Sequence, residues 1–174
     1  MFLADATLNE RTIEGVLDAC ELTYMVGFKD YIYRKGDVVL LRGAVSLSGL
    51  TKSPDKPPAV FLKVTAFDLV GTTTQFAPLH YAFISAKGES FAGKEAGKFT
   101  CEDGGVCLAY PILDNPNLFN AILDGEFEIN VNRYENSSDV NVPIAIDRDE
   151  PEVSKKFAEC SLKLMDVLKK KFGG

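Results

Sequence analysis

The fold class is decided by the stretch AVFLKVTAFDLV, residues 59–70, in which apolar and mixed positions alternate. The apolar set is Val60, Leu62, Val64 and Ala66, and the other set is Phe61, Lys63, Thr65 and Phe67. A period of two places one set on each face of an extended chain, and β-branched and aromatic residues favour that conformation. The stretch therefore predicts a β-strand with one face in the core.

Similar segments continue outward in both directions, separated by short stretches rich in Gly, Pro, Asn and Ser. They are residues 20–28, 31–33, 37–47, 79–86, 98–101, 106–113, 127–131 and 140–146. Their number and spacing predict a mainly β protein, an antiparallel β-sandwich or curled barrel of about eight or nine strands. The length of 174 residues fits a single domain over residues 1–174, because the Pro-rich loop at residues 48–58 is too short for an interdomain linker.

Helical periodicity is clearest at the C-terminus, where Pro151 suits a first turn and Asp149 and Glu152 have capping-box spacing. The apolar stripe of this predicted helix is Val153, Phe157, Cys160, Leu164 and Leu168. A short N-terminal helix is favoured by a similar spacing of apolar residues after Thr12, namely Ile13, Val16, Leu17 and Cys20. One or two helical turns are also expected over Asn117 to Leu123.

The four cysteines, Cys20, Cys101, Cys107 and Cys160, predict a disulfide framework. Three pairings are possible, and we favour Cys101 with Cys107, which bracket a turn, and Cys20 with Cys160, which remain. Unpaired core thiols and a metal site are the alternatives. Five residues between the middle cysteines and a single histidine fit a zinc site poorly, so no metal is expected.

Disulfides indicate export to an oxidising compartment, the periplasm or the cell exterior. The first residues, Met1 to Ala6, lack the basic and apolar regions of a signal peptide, so we expect a leader to have been removed. No apolar run reaches the roughly 20 residues needed for a membrane-spanning helix. The sequence thus predicts a protein without a transmembrane segment.

Charge is uneven, with 12 acidic and 2 basic residues between positions 101 and 152, a net of −10. Such a field disfavours nucleic acids, whose binding requires Lys and Arg against phosphates. It is typical either of a solvated surface that aids solubility or of a contact surface for a basic partner. No nucleic-acid partner is therefore expected.

No constellation of catalytic residues is apparent, and the protein is expected not to be an enzyme and to need no cofactor. His80 is the single histidine, and no G-x-S-x-G sequence accompanies it. Asp147, Asp149, Glu150 and Glu152 lack the pattern of a calcium-binding loop and suit a helix start. Glu102 and Asp103 on the cysteine turn, with Tyr31 and Tyr33 from an aromatic-rich segment, form the predicted binding surface, although turn exposure and core packing are their ordinary explanations.

The second half of the chain carries a recognisable order of features. Cys101 and Cys107 are followed by the phrase AYPILD at residues 109–114, a segment over 118–125, a strand, Val142-Pro143-Ile144 and a terminal amphipathic helix. Over about 70 residues, 99–168, this order resembles the invasion-associated locus B family of bacterial periplasmic proteins. The resemblance implies a disulfide-containing β-sandwich, exported in Gram-negative bacteria and without a known enzymatic activity.

These observations lead to one functional hypothesis and one alternative. The first is an exported bacterial β-sandwich protein that binds another protein or a component of the cell envelope. The alternative is a periplasmic inhibitor or immunity protein that neutralises a toxic enzyme through its acidic surface.

Overall fold

The computed structural model describes residues 2–49, 58–91, 97–101, 103–111 and 116–172. Within these residues eleven antiparallel strands form two sheets, accompanied by three helices. The strands are β1 Phe2–Ile13, β2 Val16–Asp30, β3 Asp37–Ser48, β4 Ala59–Val70, β5 Thr73–Ala77, β6 Tyr81–Ala86, β7 Glu89–Phe91, β8 Gly97–Thr100, β9 Val106–Pro111, β10 Glu126–Asn132 and β11 Val140–Ala145. The helices are α1 Pro116–Leu123, α2 Ile146–Asp149 and α3 Pro151–Phe172.

The larger sheet has seven strands in the order β1-β2-β3-β4-β9-β8, with β5 also paired to β4. Strand β4, the segment with the clearest alternation in the sequence, pairs with three strands of this sheet. One edge of β4 pairs with β3, while the other pairs first with β9, where Val64 lies opposite Val106, and then with β5, where Ala66 lies opposite Ala77. The predicted apolar set of β4 is buried.

The smaller sheet, in the order β11-β10-β6-β7, packs against the core face of the larger one. The rings of Tyr24 and Phe127 form a T-shaped pair with centroids 6.3 Å apart, and the backbone N–H of Ile84 donates to the hydroxyl of Tyr110 at 3.4 Å. Helix α3 covers the part of the core face formed by β1 and β2. The predicted fold class, an antiparallel mainly β protein with a C-terminal helix, is confirmed, and the described strands do not close into a barrel.

The prediction of an N-terminal helix is wrong, because residues 12–20 belong to the hairpin of β1 and β2. Glu14 and Gly15 form its two-residue turn, with φ of 52° and 79°, and Ile13 lies opposite Val16. Two consecutive positive φ angles are the mark of a type I′ turn, and glycine adopts one without steric cost. Strand pairing on either side of this turn overrides the helical spacing of four apolar residues. Lys87 and Gly88 make the same turn between β6 and β7.

The predicted C-terminal helix is confirmed, with its apolar stripe buried at Phe157, Cys160, Leu164 and Leu168. Its start differs in detail, because the carboxylate of Asp149 pairs with Arg148 at 3.0 Å rather than capping the helix. The carbonyl of Glu150 instead accepts from the backbone N–H groups of Val153 and Ser154, both at 3.1 Å. No helix among the described residues is both long and apolar enough to cross a lipid bilayer.

Both disulfides have the pairing that the sequence predicts. Cys20 joins Cys160 with Cα atoms 5.9 Å apart, and Cys101 joins Cys107 with Cα atoms 5.7 Å apart. The first bond links β2 to α3 through two fully buried residues. It therefore fastens the helix to the sheet, whereas the second closes the turn before β9.

The hydroxyl of Tyr24 is a buried polar group in the core without a hydrogen-bond partner among the described residues. Its side chain lies over Gly43 on the neighbouring strand, in the space that a Cβ at that position would need. The hydroxyl is buried and finds no hydrogen-bond partner among the described residues, and burial raises the pKa of Tyr24 far above its ordinary value. An unpaired buried hydroxyl is destabilising.

Tyr24→Phe is therefore expected to raise the free energy of unfolding by about 1 kcal/mol, because it removes the unpaired group and keeps the ring. Urea unfolding of the wild type and the variant measures the change. Tyr33→Phe is the matched control: the Tyr33 hydroxyl lies 2.7 Å from the hydroxyl oxygen of Ser137, so its removal should lower stability. A loss of stability in both variants would contradict the prediction.

Candidate functional site

One end of the molecule carries four of the seven exposed large apolar side chains found among the described residues. Tyr31 is 73% exposed, Tyr134 66%, Ile32 50% and Val70 44%. Tyr31 and Ile32 lie in the loop between β2 and β3, Val70 ends β4 beside that loop, and Tyr134 lies in the loop between β10 and β11. We call these four residues the loop face. Loops at one end of a β-sandwich are a common place for binding residues, because a rigid scaffold positions them.

Beneath the loop face lies a cluster of four charged residues, Asp30, Arg34, Asp68 and Arg133, which we call the ionic base. The guanidinium of Arg133 donates to both carboxylate oxygens of Asp68, at 2.6 and 3.0 Å. It also lies 3.6 Å from a carboxylate oxygen of Asp30, and Arg34 lies 3.6 Å from Asp68. The side chains of Asp30 and Arg133 are only 1% and 10% exposed. The ionic base therefore joins the two sheets, through residues at strand ends and in loops, by largely buried charges.

Asp30 also shapes the β2–β3 loop. One of its carboxylate oxygens accepts from the backbone N–H groups of Ile32 and Tyr33, at 2.9 and 2.8 Å. An aspartate that bonds to the backbone two and three residues later fixes a turn. The same residue thus holds the loop that presents Tyr31 and faces the guanidinium of Arg133.

Tyr33 connects the ionic base to the second loop. The guanidinium of Arg133 lies over the ring of Tyr33, 5.9 Å from the centroid, and Tyr134 forms a T-shaped pair with the same ring, with centroids 5.7 Å apart. Its hydroxyl lies within hydrogen-bond distance of the Ser137 hydroxyl and the Ser138 carbonyl, and the hydroxyl of Ser137 donates to the carbonyl of Tyr134 at 2.5 Å. Tyr33 is therefore a half-buried support, whereas Tyr31 is exposed.

The hydrogen bonds from Arg133 lower the pKa of the Asp68 carboxyl group, against the opposing effect of burial. The carboxylate of Asp68 is thus stabilised in its charged form. Two arginines and two aspartates balance each other there, so the loop face rests on a support of little net charge. What it offers a partner is aromatic and aliphatic surface.

The predicted binding surface is divided by the structure. Tyr31 and Tyr33 lie in the β2–β3 loop, whereas Asp103 lies in the disulfide turn, beside the middle of β4, where its carboxylate pairs with Lys63 at 2.9 Å. That hydrogen bond lowers the pKa of Asp103. Glu102 lies outside the described residues. Sequence reasoning did not identify Tyr134, Arg133 or Asp68, whose neighbourhood arises only through tertiary contacts.

The acidic region 101–152 is partly neutralised within the chain. Asp103, Asp124 and Asp149 each pair with a cation, at 2.9, 2.5 and 3.0 Å respectively. These pairs offset part of the negative charge that a basic partner would meet. The hypothesis of an inhibitor or immunity protein stays a prediction.

No protein-family model, curated protein or solved structure matches this chain. The resemblance to the invasion-associated locus B family likewise stays a prediction, and the function has to be argued from the chain itself. The structure brings together aromatic side chains on a rigid, charge-balanced support. Among the described residues, no group of three or more His, Cys, Asp and Glu side chains is arranged to hold a metal ion.

Proposed function

We propose that this protein is exported to an oxidising compartment, the bacterial periplasm or the cell exterior, and acts there as a non-enzymatic binding protein. Its partner is a protein or a component of the cell envelope, bound through the loop face. The observation that carries the proposal is the concentration of Tyr31, Ile32, Val70 and Tyr134 at one end, directly above the ionic base. Two disulfides, one of them buried, support export.

The chemistry of the loop face suits protein recognition. Tyrosine supplies a large, rigid contact area with few rotatable bonds, and tyrosine is enriched among the residues that dominate binding energy. The hydrogen bonds of Asp30 and Tyr33 order both loops before any partner arrives, which reduces the entropy lost on binding. Each exposed aromatic ring is therefore presented by a loop that is already fixed.

A groove of about 500 Å³ continues from Tyr31 between β2 and β11. Its walls include Phe28, Val38 and Pro143, and Lys29 contributes a cation. The groove gives an anchoring side chain of the partner a place to insert beside the exposed ring. Contact with both the groove and the loop face would cover the mixed apolar and polar surface that is usual for protein interfaces.

The test uses the photo-crosslinking residue p-benzoylphenylalanine, introduced at Tyr31 or Tyr134 in cells of the source organism. Irradiation is expected to give one discrete high-molecular-weight adduct from both positions, recovered outside the cytoplasm. Val16 and Leu162, 48% and 55% exposed, are matched control positions away from the loop face. The comparison is direct because all four residues are exposed and apolar.

Mutation gives the quantitative arm of the same test. Tyr31→Ala combined with Tyr134→Ala should reduce recovery of the crosslinked partner, captured through a probe at Val70, at least tenfold, as expected for loss of residues worth about 2 kcal/mol or more. Circular dichroism verifies that the variant is folded. Adducts of equal yield from the control positions, or capture that survives the double substitution, would show that the loop face is not the binding surface.

A further inference from the structure

A second groove, of about 510 Å³, lies on the outer face of the seven-stranded sheet, the face turned away from the core. It crosses the sheet from β1 to β9 and has a floor of small side chains, including Ala19 and Ala44. Its volume falls within the range of small-molecule sites, roughly 300 to 1,000 Å³. This groove is separate from the loop face, so a ligand bound in it would add a second function to partner binding.

Strand register places four side chains of this groove in one row across the sheet. Asn9 lies opposite Glu21, Glu21 opposite Ser46, and Ser46 opposite Phe61. All four point away from the core, because their neighbours Cys20, Leu47 and Leu62 fill it. Neighbouring strands lie about 4.8 Å apart, so Glu21 and Phe61 are separated by about 10 Å with the hydroxyl of Ser46 between them.

The basic side chains around the row form ion pairs, whereas the carboxylate of Glu21 does not form one with a described residue. Arg11 donates to Asp18 at 3.0 and 2.5 Å and to Ser48 at 3.1 Å, and Lys63 is paired with Asp103. Glu21, in the row itself, forms no ion pair with a described residue. The two basic side chains that line the groove are thus each paired with an aspartate. The groove retains negative charge, and a cation is the complementary ligand.

We propose that this groove binds an alkylammonium ligand. The ammonium group donates to the carboxylate of Glu21, with the hydroxyl oxygen of Ser46 and the side-chain carbonyl of Asn9 as further acceptors on either side. An ammonium group has three donors, and this part of the row offers three acceptors. The carbon skeleton extends over Ser46 to the ring of Phe61, which takes an apolar chain, or a second ammonium by cation–π attraction.

The chemistry selects for a positive charge and for length. A neutral alcohol of equal length keeps the apolar contact but loses the charge-assisted hydrogen bond to Glu21, which is about twice as strong as a neutral one. A short ammonium ion keeps that bond but does not reach Phe61. The preferred ligand therefore has a chain of about six carbons or more.

The test is isothermal titration of the folded protein with hexylamine, spermidine, 1-hexanol and ammonium chloride at low ionic strength. Hexylamine and spermidine are both expected to bind, at least tenfold more tightly than 1-hexanol or ammonium chloride. A preference for spermidine would place a second ammonium at Phe61, and a preference for hexylamine an apolar tail. Both results support the site.

Variants locate the binding. Glu21→Gln, which keeps size and removes charge, should weaken hexylamine binding about tenfold or more, the effect of losing a charged hydrogen-bond partner. Phe61→Leu should weaken it several-fold, and Glu159→Gln on the exposed side of α3 is the charge-matched control. Absence of binding by both amines, equal binding of 1-hexanol, or equal loss in Glu21→Gln and Glu159→Gln would overturn the proposal.

Discussion

Arg133→Met is expected to lower the free energy of unfolding by about 3 to 5 kcal/mol, one of the two largest effects expected for this protein. The substitution keeps an unbranched apolar stem in place of the arginine methylene groups but removes the guanidinium. Asp30, whose side chain is 1% exposed, and Asp68 then remain in the ionic base without their shared cation. Urea unfolding at pH 7 measures the loss.

The control for this variant is Arg148→Met. Arg148 also pairs with an aspartate, at 3.0 Å, but its side chain is 69% exposed. An exposed pair contributes little, so this change should stay within about 0.5 kcal/mol of the wild type. Asp68→Asn added to Arg133→Met should recover part of the stability. Equal effects of the two arginine substitutions would show that burial of the ionic base is energetically unimportant.

The effect of Arg133→Met should also depend on pH. In the folded wild type the hydrogen bonds from Arg133 hold the pKa of Asp68 below its ordinary 3.8. A carboxyl group whose pKa is lower in the folded state than in the unfolded state stabilises the fold at any pH above its unfolded-state pKa. This stabilisation is lost as the pH falls through the folded-state pKa. The difference in stability between wild type and variant should therefore be largest near pH 7 and shrink below about pH 4. A difference independent of pH between 7 and 3 would contradict this account.

Removal of the Cys20–Cys160 disulfide by alanine substitutions is expected to lower the free energy of unfolding by about 5 kcal/mol. The bond spans 140 residues, so it restricts the unfolded chain strongly, and on the chain-entropy model the effect grows with the logarithm of the loop length. The denaturant dependence of unfolding, the m value, should rise as well, because the unfolded chain becomes more expanded.

The second disulfide is the internal reference for this prediction. Cys101 and Cys107 are six positions apart, and the same relation gives about 2.4 kcal/mol for their removal. Urea unfolding of both double variants under identical conditions compares the two directly. Equal losses, or a larger loss on removal of the short loop, would refute the view that restriction of the unfolded chain dominates.

Local pattern was sufficient for a large part of the fold. Strand β4 was predicted over its full length because its alternation is regular, and α3 because its apolar stripe persists for more than four turns. The disulfide pairing followed from the turn between Cys101 and Cys107, which left one pair. Each of these predictions depends on residues that are close in sequence, except the Cys20–Cys160 pair, which is the pair that remains once Cys101 is assigned to Cys107.

The loop face and the ionic base could not be found in this way. Asp68 and Arg133 are 65 residues apart, and Asp30 and Arg133 meet only because loops of two sheets lie at the same end. The row from Asn9 to Phe61 depends on the register of three strand pairs, which a shift of one residue would destroy. Around Glu14 and Gly15, the helical spacing of the apolar residues is a stronger local signal than the two-residue turn. The prediction of an N-terminal helix is therefore wrong.

On one edge, strand β4 pairs with β5 and with β9, and these two partners lie at very different distances from it along the chain. Val70 and Thr73, three residues apart, begin the pairing with β5, whereas Val64 and Val106 are 42 positions apart. Closing a long loop carries a larger entropic penalty, and pairings between distant segments form late. Half of this edge of β4 therefore stays unpaired, and open to other chains, until β9 pairs with it. An unpaired strand edge in a partly folded β protein favours aggregation. The Cys101–Cys107 bond stiffens the turn leading into β9, which should help this last strand to find its place.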